Sequence, residues 1–338
     1  MARRFYGVAG NVKVTDMNDL MRAWQTRVSL GVFEGSSAVR VFHGPGEGSG
    51  DWQFFAIDRF QNHYWVTHWS KEGTSPHRVE LIKRQIVEFL QQKSAQSVVG
   101  MDRLERGAAR QADVWWGEPA VGKFEVREGL LSFWVQLLET GHPGLFLDHL
   151  PLRKWLLQNS WGRRVLNTFA YTGSLSVAAA HGGAERVTTL DLSKPSVEWA
   201  KENFSLNGIA ESLHHWIAGD VFEWLPRLKK SQERFDCIIV DPPSFSHGKK
   251  GNFSTAKDLA RLHSLAFDLL DEGGVLVTSI NSANVSWQKF ESDVLGAIRE
   301  KKMQFQILAQ IDLPETFPTL LGKAADRYLK GWILRRSR

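Results

Sequence analysis

Apolar residues fall along the chain in two rhythms. Between about residues 50 and 140 the runs are short and interleaved with polar positions, whereas beyond about 145 they become near-continuous and alternate with amphipathic segments. Trp52 to Thr67 alternates in two runs split at Gln61-Asn62, which predicts a hairpin. A helix is predicted from about Pro76, since Leu81, Ile82, Ile86, Val87, Phe89 and Leu90 recur near helical spacing. Strand-like runs return at Val114-Trp115-Trp116, Lys123 to Arg127 and Leu131 to Leu138, completing a small α/β module over 51–140. Residues 1–50 form a separate N-terminal segment that ends in His43 to Gly50. That stretch is too rich in glycine for the interior of a helix or strand, and a flexible loop or boundary is expected.

The second half, 141–338, predicts parallel strands at Arg164 to Phe169, Arg186 to Asp191, His215 to Ile217, Phe235 to Val240 and Gly274 to Ile280. Each pair is separated by enough chain for a crossover helix, the pattern of an α/β sheet covered on both faces. No internal repeat or low-complexity tract interrupts it.

The first of these strands runs through Ala170-Tyr171-Thr172-Gly173 into a small-residue helix, Ser174 to Ala180, and a strand, a tight loop and a helix make a nucleotide pocket. Closing the backbone on a pyrophosphate calls for a G-x-G-x-x-G series, and this loop has one well-placed glycine, Gly173. A nucleoside without phosphates is favoured, a description that S-adenosylmethionine fits. Asp191 ends the second strand 18 residues after Gly173, near the roughly 20-residue offset at which a carboxylate meets ribose hydroxyls. Ser193 suits a helix N-cap, Pro195 the first turn and Asn207-Gly208 the end of that helix, so Asp191, Leu192 and Ser193 are held between regular elements. In the third loop Asp220 can accept from an adenine amino group while Val221 and Phe222 pack on the ring. Singly each acid reads as a loop or cap residue; in series at strand ends they read as a site.

The fourth strand delivers Asp241-Pro242-Pro243-Ser244-Phe245. Two prolines stiffen that turn and remove two donors, leaving carbonyls to accept from the amino edge of a base on which Phe245 can stack. Asn281 lies at the end of the fifth strand, and Asp241, Pro242, Phe245 and Asn281 form the candidate acceptor site. The single cysteine, Cys237, excludes an intramolecular disulfide framework and a cysteine-based zinc cluster, and fits a reducing compartment. It lies four residues before Asp241, about 13 Å back along a strand at ~3.3 Å per residue, where a core role is expected. His214-His215 reads as packing or surface, and no metal is expected. Neither a signal-like run after Met1 nor a stretch approaching the ~20 apolar residues of a membrane span is present, so a cytoplasmic protein is expected. The net charge of +5 suits a polyanionic partner without requiring one, and some of the 14 Trp and 20 Phe can stack on unpaired bases.

Gly144 to His149, Asn167 to Gly173, Asp191-Leu192-Ser193, Glu198-Trp199-Ala200, Asn207-Gly208 and Asp241 to Ser246 together resemble the bacterial 23S rRNA methyltransferases. The resemblance covers roughly residues 50 to 335, closest to the guanine-N7 branch with the cytosine-C5 branch second. It implies a Rossmann-like class I S-adenosylmethionine-dependent methyltransferase domain, with a seven-stranded, mostly parallel sheet and a smaller N-terminal α/β module. It further implies a cofactor site of Phe146, the loop from Asn167 through Phe169, Tyr171 and Thr172 to Gly173, then Asp191, Asp220 and Asp241. Leu192, Ser193 and Val221 adjoin those positions. Residues around 50 to 140 are expected to help hold rRNA, and the PUA-type RNA-binding domain of the cytosine branch is not recognisable.

Cytosine C5 is a poor nucleophile that needs a thiolate, which neither Cys237 nor the polar sequence around Asn281 supplies. Guanine N7 has an in-plane lone pair and no proton to lose, so in-line transfer needs only positioning, with Asp241 as positioner. Methylation of an exocyclic amine oriented by Asp241 and the Pro242 carbonyl stays open. So do a non-RNA acceptor and a noncatalytic RNA-binding protein. The basic stretch His247-Gly248-Lys249-Lys250-Gly251-Asn252 reads equally as a mobile closure over RNA phosphate or as a solvated loop. Arg103, Arg106, Arg110 and Arg335-Arg336-Ser337-Arg338 are further phosphate candidates, and the oligomeric state is open, a homodimer included.

Overall fold

The computed structural model describes residues 17–69, 74–103, 112–139, 141–248, 251–282, 285–321 and 328–337, and for 245–248, 251–253 and 256 the backbone alone. Helix α1 (Asn18–Ser29) precedes strand β1 (Ala38–His43), a turn α2 (Gly44–Glu47), and strands β2 (Phe55–Phe60) and β3 (His63–Trp69). Helix α3 (Pro76–Gln91) crosses to β4 (Ser97–Arg103), which pairs parallel to β3, and β5 (Asp113–Gly117) closes a five-stranded sheet in order β1-β2-β3-β4-β5. The hairpin turns at Gln61-Asn62 as the alternation predicts. Helix α3 lays Ile82, Ile86, Phe89 and Leu90 on the sheet, in one cluster with Phe42, Phe55, Tyr64 and Val66.

The glycine-rich run at 43–50 corrects the sequence reading. It is a packed helical turn inside the β1–β2 connection, and β1 itself lies ahead of the expected boundary at residue 50. A Cβ on Gly46 would stand 1.6 Å from the Pro318 carbonyl, so close packing and not mobility accounts for the composition there.

The hairpin β6 (Phe124–Glu128) and β7 (Leu131–Val135) leads into a helical turn, Leu147–His149, and α4 (Leu150–Asn159). There follow β8 (Arg164–Thr168), α5 (Ser174–His181), β9 (Arg186–Asp191), α6 (Lys194–Leu206), β10 (His215–Ala218), α7 (Val221–Lys230) and β11 (Phe235–Val240). The chain continues through β12 (Phe245–Gly248), β13 (Gly251–Ser254), α8 (Thr255–Phe267), β14 (Leu270–Asn281), α9 (Trp287–Glu300), β15 (Phe305–Gln310) and β16 (Leu329–Arg336). Seven of these strands form one sheet in order β10-β9-β8-β11-β14-β16-β15, parallel except for β16, which runs antiparallel to both neighbours. This is the Rossmann-like class I fold.

Its central strands bury side chains on both faces, which is why Val165, Leu166, Ile238, Ile239, Val275 and Val277 read as continuous apolar runs. One apolar cluster carries Phe60, Trp65 and Met101 of the small sheet together with Val126, Phe133, Val165 and Ile239, so the β6–β7 hairpin joins the two sheets through a shared core. Strand order reverses between β8 and β11, and the crevice at such a switch point, beyond the carboxyl ends of the strands, is where open α/β sheets bind ligands. Among the described residues no helix is long and apolar enough to cross a membrane.

Candidate functional site

A cavity of about 1410 Å³ opens at that crevice, lined by Phe146, Asn167, Asp191, Asp220, Asp241 and Asn281 among others. Sites for one small ligand usually enclose about 300–1,000 Å³. Of the residues expected to hold cofactor, Phe169, Tyr171, Leu192, Ser193 and Val221 line the cavity as well, and Pro242 lines its other end. Thr172 and Gly173 do not. Thr172 Oγ1 donates to the Gly144 carbonyl at 2.6 Å, and a Cβ on Gly173 would meet Ala200 Cβ at 2.6 Å, so both shape the loop from behind.

That loop repeats a left-handed backbone at alternate positions: Phe169 (φ 54°), Tyr171 (φ 50°) and Gly173 (φ 75°). Left-handed conformations cost non-glycine residues about 1–2 kcal/mol each, and such strain gathers at functional sites. The turns of a glycine series are thus made with two aromatic residues, so glycine spacing alone could not reveal them. The conformation aims the Tyr171 amide at Asp191 Oδ2 (2.8 Å) while the Ser193 amide meets Oδ1 (2.8 Å), locking the carboxylate. Burial raises the Asp191 carboxyl above its ordinary range against those two amides. Asn167, buried in β8, donates to Ser176 Oγ, while its Oδ1 is buried with no hydrogen-bond partner. Asp220 caps α7, accepting from the Phe222 amide at 2.8 Å through Oδ1.

An aromatic wall closes this end, adding His142, which the sequence reading missed, to Phe146 and Tyr171, which it expected here. His142 stacks on Phe146 with centroids 4.0 Å apart, and Tyr171 tilts against Phe146 at 5.5 Å. Burial, then the nearby Arg103 and Arg40, push the His142 imidazole down to about 3, so it is neutral. Burial and Asp191 push the Tyr171 phenol up to about 12.

The other end is built from the turn after β11. Asp241 Oδ1 accepts from Ser279 Oγ at 2.6 Å, and Oδ2 lies 3.4 Å from His149 Nε2, an ion pair without hydrogen-bond alignment. Asn281 donates to Asp148 Oδ2 at 3.4 Å, and Tyr328, just before β16, donates to the same oxygen at 2.9 Å. The Pro243 carbonyl is engaged by Thr255 Oγ1 at 2.7 Å, which narrows the free carbonyls expected of this turn. Phe245 opens the β12–β13 hairpin, paired with Ser254, and its side chain lies outside the described residues. That hairpin replaces the loop expected after the motif; Lys249 and Lys250 lie outside the described residues, as do Arg106, Arg110 and Arg338.

Arg103 lines the cavity from the small sheet. Arg335 and Arg336 do not belong with it: they pair beside Val275 and with Phe305, toward the opposite end of the sheet, and Arg336 caps the Leu270 carbonyl. No described tryptophan lines the cavity, and Trp161, 84% exposed, sits ahead of β8 at the far end. His214 Nδ1 accepts from the Val187 amide and serves packing. Cys237 is buried in β11, and burial pushes its thiol up to about 12.

Residues 39–329 match the family model described as S-adenosylmethionine-dependent methyltransferase. Over 325 residues the chain is 31% identical to a Bacillus subtilis (strain 168) protein named "Putative ribosomal RNA large subunit methyltransferase YwbD", covering 95% of this chain and 80% of that protein. It is 32% identical over 270 residues to the ribosomal RNA large subunit methyltransferase K/L of Shewanella pealeana, covering 78% of this chain but only 36% of that longer protein. Among solved structures, "SMU.776, a putative methyltransferase complexed with SAH" superposes with a TM-score of 0.84 at 25% identity, over 96% of this chain and 83% of that one.

Proposed function

The chain belongs to the S-adenosylmethionine-dependent methyltransferase family that includes bacterial large-subunit ribosomal RNA methyltransferases, and from that premise we propose that it methylates guanine N7 in large-subunit rRNA. The relatives' names support the RNA class. The observation that carries the choice of atom is the acceptor end itself. The chain's only thiol is buried in β11 and strongly disfavoured as a thiolate, so the covalent route to cytosine C5 lacks its nucleophile.

The residues present fit the cofactor. The unpartnered Asn167 Oδ1 suits its ammonium group, and the fixed Asp191 carboxylate keeps lone pairs for two ribose hydroxyls. Asp220 Oδ2 and the Val221 side chain suit the adenine edge and face, while Phe146 and Tyr171 shield the methionyl limb from water. When bound, the cofactor supplies an electrophilic sulfonium methyl that the N7 lone pair takes in one in-line displacement. Asp241, held by Ser279, faces the unstacked base with Pro242 and Asn281. No proton leaves N7, so these groups orient and need remove nothing. The small sheet helps hold RNA, with Arg103 at the rim, and rRNA as substrate implies work in the cytoplasm.

Incubation with labelled cofactor and unmodified large-subunit rRNA, followed by mass mapping, tests the reading. One N7-methylguanosine is expected. A methyl on cytosine C5 or an exocyclic amine, or unlabelled RNA, overturns it.

A further inference from the structure

The helical turn Leu147–His149 places an acid and an imidazole side by side on the floor of the acceptor end, and nothing in the transfer described above uses the imidazole. We propose that His149 is a positioning residue: as an imidazolium between Asp148 and Asp241, it fixes the Asp241 carboxylate facing the acceptor base. This rests on the reading of Asp241 as the acceptor-side positioner.

The ring is 4% exposed, with Nε2 3.4 Å from Asp241 Oδ2 and Nδ1 3.8 Å from Asp148 Oδ1. A neutral imidazole has one N–H and one acceptor lone pair, so it would turn a lone pair toward one of the two carboxylates. An imidazolium presents an N–H and positive charge toward each, at ion-pair distance. Burial works against the charge, but Asp241 and then Asp148 outweigh it and raise the group to about 9, with Arg153 of α4 opposing. The remaining groups around the pair act through Asp148: the Tyr328 hydroxyl, Asn281 of β14, and Arg40 of β1 at longer range. Ser279 holds the second oxygen of Asp241, so the carboxylate is gripped from two sides.

The grip has a use in the chemistry. As the methyl moves, positive charge passes from sulfur to the guanine ring, and a carboxylate held in place before that charge develops stabilises it without reorganising. His149 lines the same cavity, but its Nε2 is itself buried and lies toward Asp241, so its effect runs through that carboxylate.

The test combines titration with kinetics. In protein labelled with ¹⁵N-histidine, with His149→Gln used for assignment, the His149 ring is expected to titrate near pH 9 and to titrate lower in Asp241→Asn. A ring that is neutral at pH 7, or unmoved by Asp241→Asn, overturns the proposal. With saturating cofactor, wild-type transfer should fall as the pH rises through about 9. His149→Gln should lower the rate about ten- to a hundredfold, as misplacement of a reacting partner does, and lose that alkaline limb while cofactor affinity stays within about threefold. Transfer at the wild-type rate, or an equal loss of cofactor affinity, overturns it. Should wild type label cytosine or no RNA, the acceptor reading fails, while the titration, which needs no acceptor, still decides His149.

Discussion

The two ends of the cavity hold their key carboxylates by different means. Asp191 is fixed by two main-chain amides, Tyr171 and Ser193, within a single strand–loop–helix stretch of the chain. Among the described residues Asp241 is held by side chains, Ser279 and His149, and its neighbour Asp148 by Tyr328 and Asn281. A backbone-held group is preset once the local fold forms, at the expense of strained φ angles at Phe169 and Tyr171. A side-chain-held group depends on distant segments arriving together, and its electrostatics can be altered one residue at a time.

The largest effect expected to separate the ends is that of Asp191→Ala. Loss of two charge-assisted bonds at about 1.5–3 kcal/mol each should weaken cofactor binding at least a hundredfold by calorimetry and abolish transfer. Asp241→Ala should abolish transfer while cofactor affinity falls less than in Asp191→Ala, and equal losses of affinity would erase the distinction. Next comes Gly173→Val, which forces a branched side chain into a left-handed position against Ala200; a destabilisation of about 2–4 kcal/mol is expected in denaturant melts. A cost below about 1 kcal/mol would mean the loop is not preset. Tyr328→Phe removes one hydrogen bond to Asp148 and should lower transfer about fivefold, in line with roughly 1 kcal/mol, with cofactor binding intact. The smallest effect is expected from Cys237→Ala: transfer within about twofold of wild type, with a stability loss of about 1 kcal/mol from the vacated core volume. A large loss of transfer there would revive covalent chemistry.

The same contrast decides what was legible in the sequence. The clustering at the proposed cofactor end could be read because a strand, a tight loop, a helix and Asp191 lie close in the chain, and each leaves a local signature. Its aromatic wall could not, because nothing in the spacing of His142, Phe146 and Tyr171 announces that they stack. At the acceptor end Asp241, Pro242 and Asn281 announced themselves at strand ends, but Asp148 and Tyr328 are 180 positions apart and meet only through the sheet order. The adjacency of Asp148 and His149 was visible as a motif, yet the second carboxylate beside the ring, Asp241, reaches it only through the fold. Composition misled at Gly44 and Gly46, where glycine answers to a neighbouring backbone and not to freedom of movement.

Strand β16 sits between β14 and β15, though both precede it in the chain. During synthesis it must enter a slot flanked by segments made earlier, and Tyr328 reaches Asp148 at its leading edge. Until residues 328–336 have entered that slot, Asp148 lacks its Tyr328 partner, so this contact is among the last that the fold completes.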